Sequence, residues 1–134
     1  MPDHYHILVK INESGNFSHY ISIVENSFSR YFNLKNKRKG PLWQSRFRSA
    51  HITSNEQLLH VSRYIHLNPT TSQLIKKPEE WLFSSYREII TEPHLLQNIL
   101  TEISILNRGE YKKFVENQRD YQIGLKIIKR KLLE

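Results

Sequence analysis

The sequence predicts an α+β domain, and three kinds of segment carry this prediction. A β-rich run occupies residues 4–11, and residues 42–52 alternate large or apolar side chains with polar ones, as a strand does. Between and after these runs, apolar residues recur with the spacing of amphipathic helices. With 134 residues, the chain is long enough for one such domain but not for two full-sized cores.

The first predicted strand begins almost at Met1. Because the backbone N–H and C=O groups of a strand need partners, we expect residues 4–11 to pair with a later segment or with a strand that is missing. The second predicted strand follows Gly40 and Pro41, which mark a break in the chain.

The first helix is predicted to start after the turn residues 14–16, with Gly15 or Asn16 as its cap. Its apolar positions follow the i, i+3, i+4, i+7 pattern at Phe17, Tyr20, Ile21, Val24, Phe28, Tyr31 and Phe32. A second helix is predicted to start at the capping-box pair Ser54 and Gln57 and to end at Pro69. A short helix starting at Ser84 or Ser85 and a largely helical stretch from Pro93 onward follow it.

One side of the second helix is polar and aromatic. His60, Tyr64 and Asn68 are four residues apart and therefore project from one face in successive turns. Tyr64 has two interpretations, a half-buried packing ring or a nucleophile that forms a covalent ester. Asn68 is either an oxygen ligand or simply the last helical residue before Pro69. His60 and His66 are interpreted as ordinary surface or packing residues.

Positive charge is concentrated in one part of the sequence. The whole chain has 20 Lys and Arg against 13 Asp and Glu, which gives a formal charge of +7. No acidic residue lies between Asn26 and Asn55, and aromatic residues alternate there with cations. Such a run is commonly a solvated face, but cations and stacking rings together favour binding to nucleic acid. The seven cations are Arg30, Lys35, Lys37, Arg38, Lys39, Arg46 and Arg48.

The composition excludes several classes of protein. Without cysteine the chain has no disulfide, thiolate metal site or thiol nucleophile. Without an apolar run near 18 residues it has no membrane span, so we expect a soluble protein of the bacterial cytoplasm or its equivalent.

The histidines at the start of the chain form a candidate metal site. His4 and His6 lie two residues apart on a predicted strand, where alternating side chains place both imidazoles on one side. Neutral imidazoles bind divalent ions, and an amide or carboxylate oxygen from elsewhere would complete the site. Two solvent-facing histidines on an edge strand are the alternative interpretation.

Four segments together resemble a known family. In order and spacing, "MPDHYHILVK", "SRYFNLKNKRKGPLWQSRFRSAHI", "EQLLHVSRYIHLNP" and "WLFSSYREII" resemble the REP-associated tyrosine transposases of the single-tyrosine HUH superfamily, which are IS200-like. The resemblance runs from Met1 to about Ile90. It implies a ferredoxin-like (RRM-like) antiparallel sheet with helices on one face in residues 1–92. The tail looks like a helical C-terminal extension, assigned to residues 93–134.

The resemblance also implies an activity, which is to cut and rejoin single-stranded DNA beside a hairpin with Mg or Mn. His4 and His6 match the metal-binding pair, Tyr64 matches the nucleophile, and Asn68 falls where related enzymes place a third ligand. The expected products are a 5′-phosphotyrosine and a free 3′-hydroxyl. The expected DNA-binding residues are Arg30, Lys35, Lys37, Arg38, Lys39, Trp43, Gln44, Arg46 and Arg48, with Trp43 and Phe47 as stacking or core residues.

The chain departs from the family pattern in three places. Asp3 stands where the family usually has Asn, and Tyr5 where it has an aliphatic residue or Phe. Family members also carry a further strand and helix ahead of Met1, so we expect an N-terminal truncation that leaves open sheet edges. The apolar surface left open would allow a homodimer. Two alternatives follow, namely an inactive remnant that only binds nucleic acid and a chain that does not fold alone.

Overall fold

The computed structural model describes residues 1–12, 15–91, 107–119 and 122. Within them the helices are α1 (Phe17–Lys35), α2 (Asn55–Thr71), a 3₁₀ turn (Pro78–Glu80), α3 (Tyr86–Thr91) and α4 (Arg108–Glu116). The chain divides into two compact units. The first unit comprises Met1–Ile7 and Ile52–Glu134, and the second unit comprises Leu8–His51.

The predicted ferredoxin-like antiparallel sheet is wrong, because the described residues contain no β-strand. Residues 4–11 and 42–52 have no ladder in the structure. Side chains from both faces of the first run are exposed, including Tyr5 at 40% on one face and Lys10 on the other. An alternating pattern produces a strand only where a neighbour completes the backbone hydrogen bonds and covers one face, and the described residues form no such backbone ladder.

The predicted first helix is confirmed as α1. Asn16 caps it, since its side-chain oxygen accepts a hydrogen bond from the backbone N–H of His19 at 3.0 Å. Within the second unit, the indole N–H of Trp43 donates to the carbonyl of Glu25 at 3.2 Å, and the Trp43 ring lies 6.0 Å from that of Phe28. Trp43 therefore packs against α1.

The predicted second helix is confirmed as α2, but its predicted end is wrong. Ser54 Oγ accepts from the N–H of Gln57 at 3.1 Å, as a helix cap does. The helix continues through Pro69 to Thr71. A proline removes only its own helical N–H, and the N–H groups that follow it can still close the last turn. Here the N–H of Ser72 donates to the carbonyl of Asn68 at 3.0 Å.

The core of the first unit lies between α2, α3 and α4. Its buried members are Leu67, Tyr86, Ile89, Tyr111 and Val115. Thus α4, from the predicted C-terminal extension, packs against the helix that carries Tyr64. The predicted boundary between residues 92 and 93 lies outside the described residues. No helix in the part of the chain that the structure describes is long and apolar enough to cross a membrane.

Candidate active site

Three predicted site residues meet in the first unit. Asn68 Nδ2 lies 2.9 Å from His6 Nε2, and the ring of His6 lies 5.6 Å from that of Tyr64 at a steep angle of 73°. Sixty-two residues separate His6 from Asn68, so this contact is made by the fold and not by local chain geometry. Because Tyr64 and Asn68 are four residues apart on α2, one imidazole reaches both.

The two α2 residues differ in exposure. Tyr64 is 51% exposed, whereas Asn68 is only 3% exposed. The aromatic side chain therefore reaches solvent beside a buried amide, and the amide is held by polar neighbours on both sides. Asn68 Oδ1 accepts a hydrogen bond from Ser72 Oγ at 3.2 Å, one turn further along the chain.

His4 completes the group from the other side of His6. The two imidazole rings are 5.0 Å apart and nearly perpendicular, at 86°. His4 Nδ1 donates to the carboxylate of Asp3 at 2.6 Å, and this hydrogen bond lowers the pKa of the Asp3 carboxyl. With Nδ1 engaged by Asp3, Nε2 is the nitrogen that His4 can offer to a ligand.

The donor set fits a divalent cation of the Mg, Mn or Zn type. Two imidazoles and an amide oxygen are suitable ligands for such ions. Among residues 1–12, 15–91, 107–119 and 122, there is no cluster of three or more His, Cys, Asp or Glu side chains able to hold a metal. An ion at this place therefore depends on the amide oxygen of Asn68, which the amide presents after a half-turn about its bond to Cβ.

His60 does not join this group, although it shares the predicted helix face. His60 Nδ1 accepts from the guanidinium of Arg63 at 2.7 Å, and Arg63 stacks 4.3 Å from the centre of the Phe114 ring. Arg63 is 8% exposed, and burial lowers its pKa. This contact holds α4 against α2.

A buried network of hydrogen bonds through His66 also holds α2 against its neighbours. His66 Nδ1 lies 2.6 Å from the Tyr111 hydroxyl, which donates to Ser62 Oγ at 3.2 Å, and Ser62 donates to the carbonyl of Leu59. His66 Nδ1 is therefore a donor, and its Nε2 accepts from Ser85 Oγ at 3.1 Å. Every member is satisfied with a neutral imidazole, so the interpretation of His66 as a packing residue is confirmed.

The buried hydrogen-bond network through His66 should make the stability of the fold sensitive to acid. Burial lowers the pKa of His66 from 6.5 to about 4. Between about pH 6.5 and 4, His66 is therefore protonated in the unfolded protein but neutral in the folded protein. The free energy of unfolding should decline as the pH falls through this range and level off below it. The expected loss from His66 is about 3 kcal/mol. Urea unfolding at several pH values measures it, and a His66→Gln variant should show a correspondingly shallower decline. Equal declines in the two proteins would contradict the neutral buried imidazole.

The predicted DNA-binding residues lie in the second unit, and most are exposed: Arg30, Lys35, Lys37, Lys39, Gln44, Arg46 and Arg48. Arg38 is exposed as well, but it holds its own loop, donating to Asn33 Oδ1 at 3.0 Å and to the carbonyl of Pro41 at 2.8 Å. Trp43 and Phe47 are half-buried, and Phe47 packs 6.1 Å from Phe17. Of the two interpretations of these rings, the geometry favours core packing.

The sequence indicated no supporting role for three residues of the first unit, namely Asp3, Ser72 and Tyr111. Ser72 continues the four-residue series of Tyr64 and Asn68 by one more turn, so the same spacing could have indicated it. Tyr111 is 45 residues from His66, and no sequence signal joins them.

A histidine pair beside a helix that presents a tyrosine and an amide defines a candidate metal-assisted nucleophilic site. Residues 1–68, which contain all four of these side chains, match the family model described as "Transposase IS200 like". The match covers half of the chain, and the chain therefore belongs to the IS200-like transposase family. This confirms the resemblance found in the sequence.

Comparison with curated proteins gives a relative in Haemophilus influenzae named "Putative REP-associated tyrosine transposase". The two are 26% identical over 96 residues, in an alignment that covers 64% of this chain and 54% of the relative. The chain thus spans about half the length of the curated relative it matches. No solved structure matches the chain significantly.

Proposed function

We propose that this chain carries the active site of a DNA transposase that cuts and rejoins single-stranded DNA through a covalent bond to Tyr64. The observation that carries the proposal is the meeting of Tyr64, Asn68 and His6 in the first unit. Membership of the IS200-like transposase family supports it, since the family match contains these residues.

The proposed reaction is a phosphoryl transfer to tyrosine. The Tyr64 oxygen forms a bond to phosphorus while the bond from phosphorus to the 3′ oxygen breaks. The hydroxyl proton of Tyr64 is lost to solvent, and the leaving 3′ oxygen takes up a proton to become a hydroxyl. The 5′ phosphate stays on Tyr64 as a phosphodiester, so the reverse attack by a 3′-hydroxyl rejoins DNA without ATP.

His4, His6 and Asn68 are the residues that would hold the divalent ion, Mg or Mn. When bound, such an ion polarises the phosphate and stabilises its developing charge. The chain itself supplies the positioning: Asp3 orients His4, and the buried hydrogen-bond network through His66 fixes the helix that carries Tyr64.

Substrate binding is assigned to the exposed cations of the second unit. Lys37, Lys39, Arg46 and Arg48 lie in a stretch without acidic residues, where phosphates of a single strand or a hairpin stem are attracted without charge repulsion. Arg38 is left out of this proposal because its guanidinium already bonds to Asn33 and Pro41.

The test is formation of a covalent complex. Incubating the protein with Mn²⁺ and a labelled single-stranded DNA that contains a hairpin should give a protein–DNA adduct that survives denaturation. EDTA should prevent it, and His6→Ala should reduce it strongly because the imidazole pair is broken. Absence of any adduct with Mg²⁺ or Mn²⁺ would contradict the proposal.

A second candidate, a chain that only binds nucleic acid, is favoured by the exposed cations alone. It predicts binding whose log K falls by about 0.7 per phosphate contact for each tenfold rise in salt, without an adduct. It also predicts no effect of EDTA or His6→Ala on binding. Titrations at several salt concentrations, with and without EDTA, distinguish the two candidates.

A further inference from the structure

We infer that Ser72 is a positioning residue for the metal site, because its hydroxyl can hold the Asn68 amide in either of the two orientations that the site requires. The inference rests on the proposed function, which makes Asn68 a metal ligand. It concerns a side chain that lies beyond the family match, which ends at Asn68 itself.

The amide of Asn68 has one orientation in the structure. Its Nδ2 donates to His6 Nε2 at 2.9 Å, and its Oδ1 accepts from Ser72 Oγ at 3.2 Å. Asn68 is 3% exposed, so water cannot easily replace either partner. In this state the lone pair of His6 Nε2 and the oxygen of Asn68, two of the donors a metal needs, are both engaged in hydrogen bonds.

Metal ligation requires the opposite orientation. The oxygen of Asn68 has to face His6, where the ion would sit, and Nδ2 then faces Ser72. A serine hydroxyl has one O–H donor and two acceptor lone pairs, so it donates to Oδ1 in the first state and accepts from Nδ2 in the second. A side chain without a hydroxyl would remove one hydrogen bond from a buried amide in both states.

Ser72 is well placed for this exchange. It caps α2 directly after Thr71, and its backbone N–H is bonded to the carbonyl of Asn68 at 3.0 Å. The backbone bond fixes the distance between the two residues and keeps the Ser72 hydroxyl within reach of the Asn68 amide. The metal site is therefore held by Ser72 through Asn68, as ligands in metalloproteins commonly are held by outer hydrogen bonds.

The experiment compares Mn²⁺ affinity by calorimetry in three variants, each checked for an unchanged melting transition. Ser72→Ala should weaken Mn²⁺ binding by about tenfold or more, and Ser72→Thr should retain most of the affinity because it keeps a hydroxyl. Thr71→Val is the matched control: Thr71 Oγ1 donates to the backbone carbonyl of Asn68 at 3.1 Å, not to its amide, so affinity should be unchanged.

Equal Mn²⁺ affinity in the wild type and Ser72→Ala would overturn the inference while leaving the proposed function intact. Wild-type protein that neither binds Mn²⁺ nor forms a DNA adduct would overturn both. A metal-free measurement covers the case in which Ser72→Ala does not fold. In the wild type, ¹⁵N spectra should show His6 with its proton on Nδ1, because Nε2 accepts from Asn68. A proton on Nε2 would refute this amide orientation, and with it the exchange between two orientations on metal binding.

Discussion

Tyr64→Phe is expected to reduce the covalent DNA adduct to background while leaving DNA binding unchanged. The substitution removes only the oxygen that attacks phosphorus, and it keeps the ring that lies 5.6 Å from His6. The cations assigned to DNA binding lie in the second unit and are untouched. The measurement is the denaturation-resistant adduct, resolved by electrophoresis, together with a binding titration of the same protein.

The matched control is Tyr20→Phe, which removes a hydroxyl from another exposed tyrosine. Tyr20 is 63% exposed on α1, compared with 51% for Tyr64 on α2. We expect the Tyr20 variant to form the adduct at the wild-type rate. An adduct that persists in Tyr64→Phe would contradict the nucleophile assignment, whatever the Tyr20 variant does.

Tyr111→Phe is expected to destabilise the protein by about 1–3 kcal/mol, whereas Tyr86→Phe is expected to be neutral or slightly stabilising. Both tyrosines are 0% exposed and belong to the same core. The Tyr111 hydroxyl joins His66 to Ser62, so its removal leaves the buried Nδ1–H of His66 without its acceptor and takes one of two hydrogen bonds from Ser62. The Tyr86 hydroxyl has no hydrogen-bond partner within the described ranges, so its removal costs no bond.

The two variants are compared by urea unfolding at neutral pH. Each loses one hydroxyl from a fully buried ring, so packing losses nearly cancel in the comparison. A smaller destabilisation for Tyr111→Phe than for Tyr86→Phe would contradict the buried hydrogen-bond network through His66. Because the hydrogen-bond network through His66 fixes α2, the Tyr111 variant should also stop forming the adduct at a lower temperature than the wild type.

Local signals predicted the helices well. The caps Asn16 and Ser54 and the apolar spacing of α1 and α2 depend on residues three or four apart, and the structure confirms both helices and both caps. The prediction of strands was wrong because a strand depends on a distant partner, which an alternating pattern does not specify. The end of α2 was predicted wrongly because Pro69 removes only its own N–H from the helix, and the N–H groups that follow it still close the last turn.

The sequence predicted the residues of the candidate site but not their arrangement. The spacing of Tyr64 and Asn68 predicted a common helix face, and the resemblance supplied the link to His4 and His6. The 2.9 Å contact between His6 and Asn68 joins segments 62 residues apart and appears only in the structure. The supporting residues Asp3, Ser72 and Tyr111 were missed because their importance lies in what they contact and not in any motif.

The central claim is that DNA becomes attached to Tyr64, and direct mapping of the attachment tests it. The adduct formed with Mn²⁺ and hairpin-containing single-stranded DNA is digested with nuclease and protease, and the modified peptide is sequenced by tandem mass spectrometry. The account predicts a nucleotide joined through its 5′ phosphate to the oxygen of Tyr64. Attachment at any other residue, or through a 3′ phosphate, would contradict it.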